Sequence, residues 1–184
     1  MHSSFDNIPL IVTTSAEDFI LLNINHDNIA AIIIYGDIEK HAKIIEQRFA
    51  SFPNIVKILN STPELALKCG ANGVHINNIH DFKNFRNKKM YPDLIFGTEI
   101  ITSKHDAITA GEMNIDYIFF GKLEHIPTIN QFAKNIELCN WWSENTRIPA
   151  VLQMNNDNEK LLKNVTTYPD FIAIDNSLLL MNRQ

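Results

Sequence analysis

Short runs of apolar, mostly β-branched residues recur along the chain, and more polar stretches separate them. Most runs are continuously apolar instead of alternating, which is typical of strands covered on both faces in a parallel sheet. The pattern predicts strands at residues 8–13, 29–35, 55–59, 73–76, 94–96, 117–120, 150–152 and 171–174.

Helices are expected between these strands, since parallel strands need crossover connections. Residues 38–49 carry apolar side chains on one helical face and charged ones on the other. Cap residues mark further helix starts after strands, at Ser15, Thr62 and Ser103. Helices are also predicted at residues 82–88, 130–143 and 157–163, with a short one after residue 177.

The repeated strand–helix alternation has no linker or low-complexity break, and 184 residues suit one domain. We therefore predict an α/β fold, a compact single-domain TIM (β/α)8 barrel with short loops over residues 1–184. A doubly wound open sheet is the alternative, because a strand pattern does not by itself show closure.

Composition excludes several classes of function. Lys and Arg number 16 against 21 Asp and Glu, and a net charge of −5 lacks the electrostatic footprint of a nucleic-acid-binding protein. No apolar run reaches the roughly 18–20 residues of a membrane span, and no leader pattern precedes residue 8, so we expect a cytoplasmic protein. Cys69 and Cys139 form no C-x-x-C motif and are expected to be buried free thiols.

Several motifs resemble the thiamine phosphate synthase family, which includes the thiazole tautomerase branch. Residues 65–76, LALKCGANGVHI, resemble the family's A-x-x-x-G-A-D-G-V-H-L strand, and residues 95–99, IFGTE, resemble I-I-G-x-S. Residues 114–121, NIDYIFFG, are similar to G-A-D-Y-I-x-x-G, and a Pro-Thr pair and I-P-A-V follow in the family's order. The resemblance implies a TIM barrel and, in active members, Mg²⁺-dependent joining of a pyrimidine diphosphate to a thiazole phosphate with release of pyrophosphate.

The residues implied to hold Mg²⁺ are altered. The family's third strand ends in Asn-Asp, whereas this chain has Asn60 and Ser61, and its second metal Asp aligns with His80, one residue before Asp81. Mg²⁺ prefers oxygen ligands in octahedral order, so the Mg²⁺ site is expected to be lost and the cofactor is unknown. His80 and Asp81 are candidates for another metal, since imidazole suits transition metals, or else plain surface residues.

The residues implied to hold phosphate are altered too. The paired cations of the family's second strand are absent from residues 35–40, and the Lys of its P-T-x-T-K loop aligns with Gln131. Glu99 replaces the family's Ser on strand five and would repel diphosphate oxygens. Residues 152–154, Leu-Gln-Met, replace the G-G-I that binds thiazole phosphate, and their side chains are expected to crowd that phosphate.

Two candidate catalytic residues lie at strand ends, where barrel enzymes place their chemistry. Lys122 and Glu99 could form an acid/base couple, or a structural ion pair that fills a dead pocket. His125 is a further candidate, near the position where tautomerases commonly carry a His.

Candidate substrate-binding residues are Asn60, Thr98, Thr128 and His75. Each has a structural alternative: Asn60 in a helix-start turn, Thr128 as a helix cap, and His75 as a hydrogen-bonded core residue.

Three hypotheses follow. The first is a divergent family member that lacks the standard synthase activity and has a regulatory role or binds a small phosphorylated ligand. The second is an active enzyme, either a weak synthase or one with altered chemistry that uses Lys122, Glu99 and Asn60. The third is a non-catalytic scaffold, whose mouth Leu152, Met154 and Tyr35 would fill. Adjacent Trp141 and Trp142 suggest a homodimer contact.

Overall fold

Eight parallel strands close into a barrel in the computed structural model, which describes residues 8–23, 28–82, 91–99, 103–154, 167 and 169–177. Each strand pairs with the next, and β8 pairs with β1, so the predicted TIM barrel is confirmed and the open sheet is excluded. The strands are β1 Leu10–Ser15, β2 Ile29–Tyr35, β3 Val56–Leu59, β4 Gly73–Ile76, β5 Ile95–Glu99, β6 Tyr117–Phe120, β7 Ala150–Met154 and β8 Phe171–Asp175.

In the described residues, a helix follows each of the first six strands. They are α1 Ala16–Phe19, α2 Ile38–Phe49, α3 Pro63–Lys68, α4 Ile79–Phe82, α5 Lys104–Glu112 and α6 Ile129–Asn145. Side chains of Ser15, Thr62 and Ser103 accept backbone N–H groups at the predicted helix starts. The predicted helices at 83–88, 157–163 and beyond residue 177 lie outside the described residues. In the described part of the chain, no helix is long and apolar enough to cross a membrane.

The strands are apolar on both faces because two hydrophobic cores surround the sheet. Ile33 and Val151 belong to the core inside the barrel. Their neighbours Ile32 and Leu152 belong to the core between the sheet and the helices. Because strand side chains alternate between faces, the parity of each position decides which core it joins.

One device recurs four times where strands begin. An Asn or Asp directly before each even-numbered strand hydrogen-bonds the backbone of the preceding odd-numbered strand or of the residues leading into it, at 2.8 to 2.9 Å. The pairs are Asn28 with Ile8, Asn72 with Lys57, Asp116 with Phe96, and Asp170 with Ala150. These side chains therefore fix the end of the barrel opposite the strands' carboxyl ends.

Candidate functional site

The inner face of the barrel becomes polar toward the carboxyl ends of the strands, where TIM barrels place their sites. Strand parity directs a set of polar side chains inward there, beside the apolar inner core. They are Tyr35 on β2, His75 on β4, Glu99 on β5, Gln153 on β7 and Asp175 on β8.

His75 is fully buried, and its Nδ1 lies 2.8 Å from the hydroxyl of Tyr117 on β6. The strand between them, β5, carries Gly97 opposite both residues. A Cβ at Gly97 would lie 1.9 Å from the Tyr117 ring, so only glycine lets the ring cross β5 to reach the imidazole. Three strands thus cooperate in one buried hydrogen bond.

His75 faces the Glu99 carboxylate but does not bond it. His75 Nε2 lies 3.9 Å from Glu99 Oε2 and has no hydrogen-bond partner among the described residues. Burial lowers the pKa of His75, and the nearby Glu99 carboxylate opposes that shift without reversing it. Burial also raises the pKa of Tyr117, so its hydroxyl keeps its proton beside Nδ1 of His75.

The loop after β6, residues 121–127, covers the inner face. Glu99 Oε2 accepts the N–H of Leu123 at 3.0 Å, and the Leu123 side chain is only 2% exposed within the inner core. Gln153 Oε1 accepts the N–H of Lys122 at 2.8 Å, and its Nε2 donates to the carbonyls of Lys122 and His125 at 2.9 and 3.0 Å. The chain's own backbone therefore occupies these polar groups.

Asp175 lies at the end of β8, where TIM barrels frequently bind phosphate. Its carboxylate accepts the N–H of Ser177 at 3.0 Å, the Ser177 hydroxyl at 2.6 Å and the Tyr35 hydroxyl at 3.3 Å. Burial and the Asp175 charge raise the pKa of Tyr35 to about 12. A carboxylate thus takes the donors that a phosphate would need.

The predicted substrate-binding residues do not share one surface. Asn60 joins the ends of β3 and β4, since its Nδ2 donates to the His75 carbonyl at 2.8 Å and to Asn77 Oδ1 at 2.7 Å. The Thr98 side chain lies on the outer face of the sheet, is fully buried and donates to the Ile76 carbonyl at 2.8 Å. Thr128 caps α6 in a capping box with Gln131.

The predicted catalytic residues do not form a pair in the described part of the chain. Lys122 is exposed, whereas Glu99 is 6% exposed, and no ion pair joins them there. His125 is exposed and its Nδ1 lies 2.9 Å from the Glu124 carbonyl oxygen.

The described residues hold no group of three or more His, Cys, Asp and Glu side chains that could bind a metal. His80 is exposed, and the side chain of Asp81 lies outside the description. Asn60 bonds its neighbours through its amide, and Ser61 bonds the Thr62 carbonyl. This donor set does not fit the Mg²⁺ that the family resemblance implies.

One expectation about the mouth was wrong. Leu152 and Met154 pack against the outer core, so they neither fill the mouth nor crowd a phosphate there. Parity explains this, since Val151 and Gln153 take the inward positions of β7. Leu123, which no motif in the sequence marks, packs in the inner core, and Tyr35 packs against that core too. The buried free thiols expected at Cys69 and Cys139 are confirmed.

A closed eight-stranded α/β barrel with inward polar groups at its strand ends defines the class, a TIM barrel of the kind that carries small-molecule sites. A sequence model described as thiamine monophosphate synthase matches residues 26–174, and the chain belongs to that family. This confirms the resemblance drawn from the motifs.

Curated relatives agree. The chain is 32% identical over 101 residues to the thiamine-phosphate synthase of Rhodospirillum centenum, covering 53% of this chain and 48% of that protein. It is 27% identical over 127 residues to the enzyme of that name from Hyphomonas neptunium, covering 67% of this chain and 57% of that protein. The chain thus spans about half the length of the curated relatives it matches.

Solved structures show the same fold. Thiamine phosphate pyrophosphorylase from Pyrococcus furiosus superposes with a TM-score of 0.59 at 17% identity, over 92% of this chain and 86% of that one. Tryptophan synthase from M. tuberculosis superposes with a TM-score of 0.61 at 7% identity, over 95% of this chain and 85% of that one. A fold shared so widely does not define the reaction.

Proposed function

We propose that this protein is a divergent thiamine phosphate synthase-like barrel of thiamine biosynthesis that has lost the standard synthase reaction and acts by binding a small ligand or by regulation. The observation that carries the proposal is the buried Glu99 carboxylate, which stands where the family resemblance places a serine. The cytoplasmic location and the homodimer stay predictions.

Electrostatics argue against a diphosphate at this position. Two like unit charges about 4 Å apart repel by about 4 kcal/mol at an effective dielectric constant of about 20. A typical hydrogen bond contributes only about 0.5–1.5 kcal/mol net, so one donor does not offset that repulsion. Replacing a hydroxyl by Glu99 therefore opposes the substrate as well as removing a donor.

The backbone donors are also engaged. The N–H groups of Lys122, Leu123 and Ser177 donate to Gln153, Glu99 and Asp175, respectively. A phosphate would have to displace three internal acceptors to use them. The described residues also hold no group of three or more His, Cys, Asp or Glu side chains that could bind Mg²⁺, which supports the loss of Mg²⁺-dependent phosphate chemistry.

Altered chemistry run by Lys122 and Glu99 has less support. General acid/base catalysis needs proton partners within hydrogen-bond reach, directly or through one water. Lys122 is exposed and Glu99 is buried beneath the Leu123 N–H. A scaffold without a ligand is the second candidate, because Leu123 fills the inner face.

Thermal-shift titration tests the proposal. The purified protein is titrated with thiazole phosphate, pyrimidine diphosphate, pyrophosphate and thiamine phosphate, each with and without Mg²⁺, and thiamine phosphate formation is assayed in parallel. The Rhodospirillum centenum enzyme is the positive control. A ligand at 100 times its Kd stabilises the native state by about 2.7 kcal/mol, which is readily seen as a raised Tm.

We expect no product and no Mg²⁺-dependent stabilisation by the diphosphate. A metal-independent shift with one ligand supports the binding role. No shift with any of the four favours the scaffold. Product formation with Mg²⁺-dependent stabilisation would overturn the proposal.

A further inference from the structure

We infer that residues 121–127, here called the plug loop, form an autoinhibitory contact that closes the barrel mouth, and that Glu99 and Gln153 are the positioning residues that hold it there. The inference deepens the proposed binding role and rests on it only for the ligand that the loop would exclude. Its structural part stands on the contacts of the loop alone.

Gln153 makes more hydrogen bonds to the plug loop than Glu99 does. Its side-chain amide uses its oxygen and its nitrogen in three hydrogen bonds of 2.8 to 3.0 Å, all to backbone groups of Lys122 and His125. The loop backbone lies so close that a Cβ at Gly121 would be 2.4 Å from Gln153 Cβ. Gln153 stands where the thiamine phosphate synthase family pattern has a glycine. A glycine has no side chain that could form these hydrogen bonds to the loop.

Glu99, which stands where the family pattern has a serine, also hydrogen-bonds the plug loop. Its carboxylate accepts the N–H of Leu123, whose side chain packs inside with Tyr117, Phe119 and Val151. Glu99 and Gln153, two inward side chains that depart from the family's pattern, therefore bond the same loop. A common structural purpose explains them together.

The loop is bent against its local preference. Glu124, the residue after Leu123, has φ of +66°, a region that non-glycine residues seldom adopt. Such a conformation persists only where surrounding contacts impose it. Lys122, Glu124, His125 and Ile126 are exposed, so the loop is held from the barrel side and can lift toward solvent.

Lifting the plug loop would release groups that a ligand could use. The Glu99 carboxylate and the Gln153 amide would lose their backbone partners. His75 Nε2, buried and without a partner among the described residues, already faces Glu99. The buried layer is thus a polar site that the chain itself occupies.

Amide hydrogen exchange of the full chain tests this. In Gln153→Ala and Glu99→Ala, we expect exchange at residues 122–125 to accelerate at least about tenfold, while amides of β6 and β7 keep their protection. Thr98→Val is the matched control, because Thr98 is buried on the same strand as Glu99 but faces outward. Gln153→Glu and Glu99→Gln, which keep an acceptor for the loop, are expected to accelerate exchange less.

Unchanged exchange in the loop of both alanine variants would overturn the inference, and so would equal acceleration throughout the barrel. If an alanine variant does not fold, Gln153→Glu and Glu99→Gln are used instead, and exchange at residues 122–125 is again compared with exchange in β6 and β7. The four-ligand titration repeated on Gln153→Ala separates the two proposals. Faster loop exchange without ligand stabilisation keeps the plug and contradicts the binding role, whereas ligand stabilisation that exceeds that of the unmodified chain supports both.

Discussion

His75 is buried beside Tyr117 and the Glu99 carboxylate. Burial disfavours the charged imidazolium more than the Glu99 carboxylate favours it, which is why the pKa of His75 is lowered. His75 is thus a buried, hydrogen-bonded residue of the barrel interior in this structure. Because the pKa of His75 is lowered in the native state, its protonation should make the free energy of unfolding depend on pH.

The pKa of His75 is lower in the native state than in the unfolded chain, where it is about 6.5. Below that pH the unfolded chain binds a proton at His75 that the native state does not bind, so the free energy of unfolding should fall as the pH drops. One such group changes stability by at most about 1.4 kcal/mol per pH unit. We expect His75→Gln to flatten the slope of stability between pH 5.5 and 7.5, measured by urea unfolding. Exposed His105→Gln is the control and should keep the slope. An unaltered slope in His75→Gln would assign the pH dependence to other groups.

The sequence marked Glu99 and residue 153 as unusual because each stands where the resembling family has a small residue. It did not show that both bond the plug loop, since the partners are backbone groups of residues 122–125 and no side-chain pattern encodes them. The same limit applies to Lys122, whose backbone takes part in the loop contact while its side chain is exposed.

At the scale of elements, the motifs that carried the resemblance serve the barrel's strand starts. The Asn of GANGV is Asn72 and the Asp of NIDYI is Asp116, and both accept the N–H of a residue in a neighbouring strand. Asp170 does the same before β8. The motif residues that carry the resemblance therefore act at the end of the barrel opposite the candidate site.

We expect Asp116→Ala to destabilise the fold by about 1–3 kcal/mol, the cost of depriving a buried donor of its acceptor. The Asp116 carboxylate accepts the N–H of buried Phe96 at 2.8 Å. Asp116→Asn keeps an acceptor and should lose less than the alanine variant. Exposed Glu112→Ala controls for the loss of one charge nearby. Equal unfolding free energies for Asp116→Ala and the unmodified chain, by urea titration, would remove Asp116 from this role.

Strands were predictable because burial on both faces makes each a continuous apolar run, as in residues 29–35. The same continuity hid the direction of single side chains. Leu152 and Met154 were assigned to the mouth because residues 152–154 align with the family's G-G-I, and that alignment does not show which side chains face inward; both pack outward. Helix starts were easier, since a cap such as Thr62 acts within three residues.

At the scale of the whole molecule, closure was the step that the pattern alone could not supply. Eight apolar runs suit an open sheet as well, and the barrel depends on β1 pairing with β8, whose residues lie about as far apart in sequence as the chain allows. The eightfold strand–helix alternation and the family resemblance together favoured closure. Once β1 and β8 pair, each strand has two neighbours and the barrel is expected to unfold as one unit.

The two thiols can test that cooperativity. Cys69 lies after α3 with its Sγ 3.8 Å from the Ala42 carbonyl oxygen of α2, and Cys139 lies on α6, so they report on separate parts of one outer core. Burial raises the pKa of Cys69 and raises that of Cys139 to about 12, which leaves little thiolate at neutral pH. We expect neither to react with an aromatic disulfide reagent in the native protein.

Added urea should then raise both labelling rates with the same dependence on denaturant, because each thiol is reached only through global unfolding. Cys69→Ala and Cys139→Ala leave one thiol each and assign the rates. Labelling of Cys139 at lower urea than Cys69 would mean that α6 detaches while the barrel around α2 and α3 persists. That outcome would contradict the single cooperative domain predicted for residues 1–184, whereas a common dependence would support it.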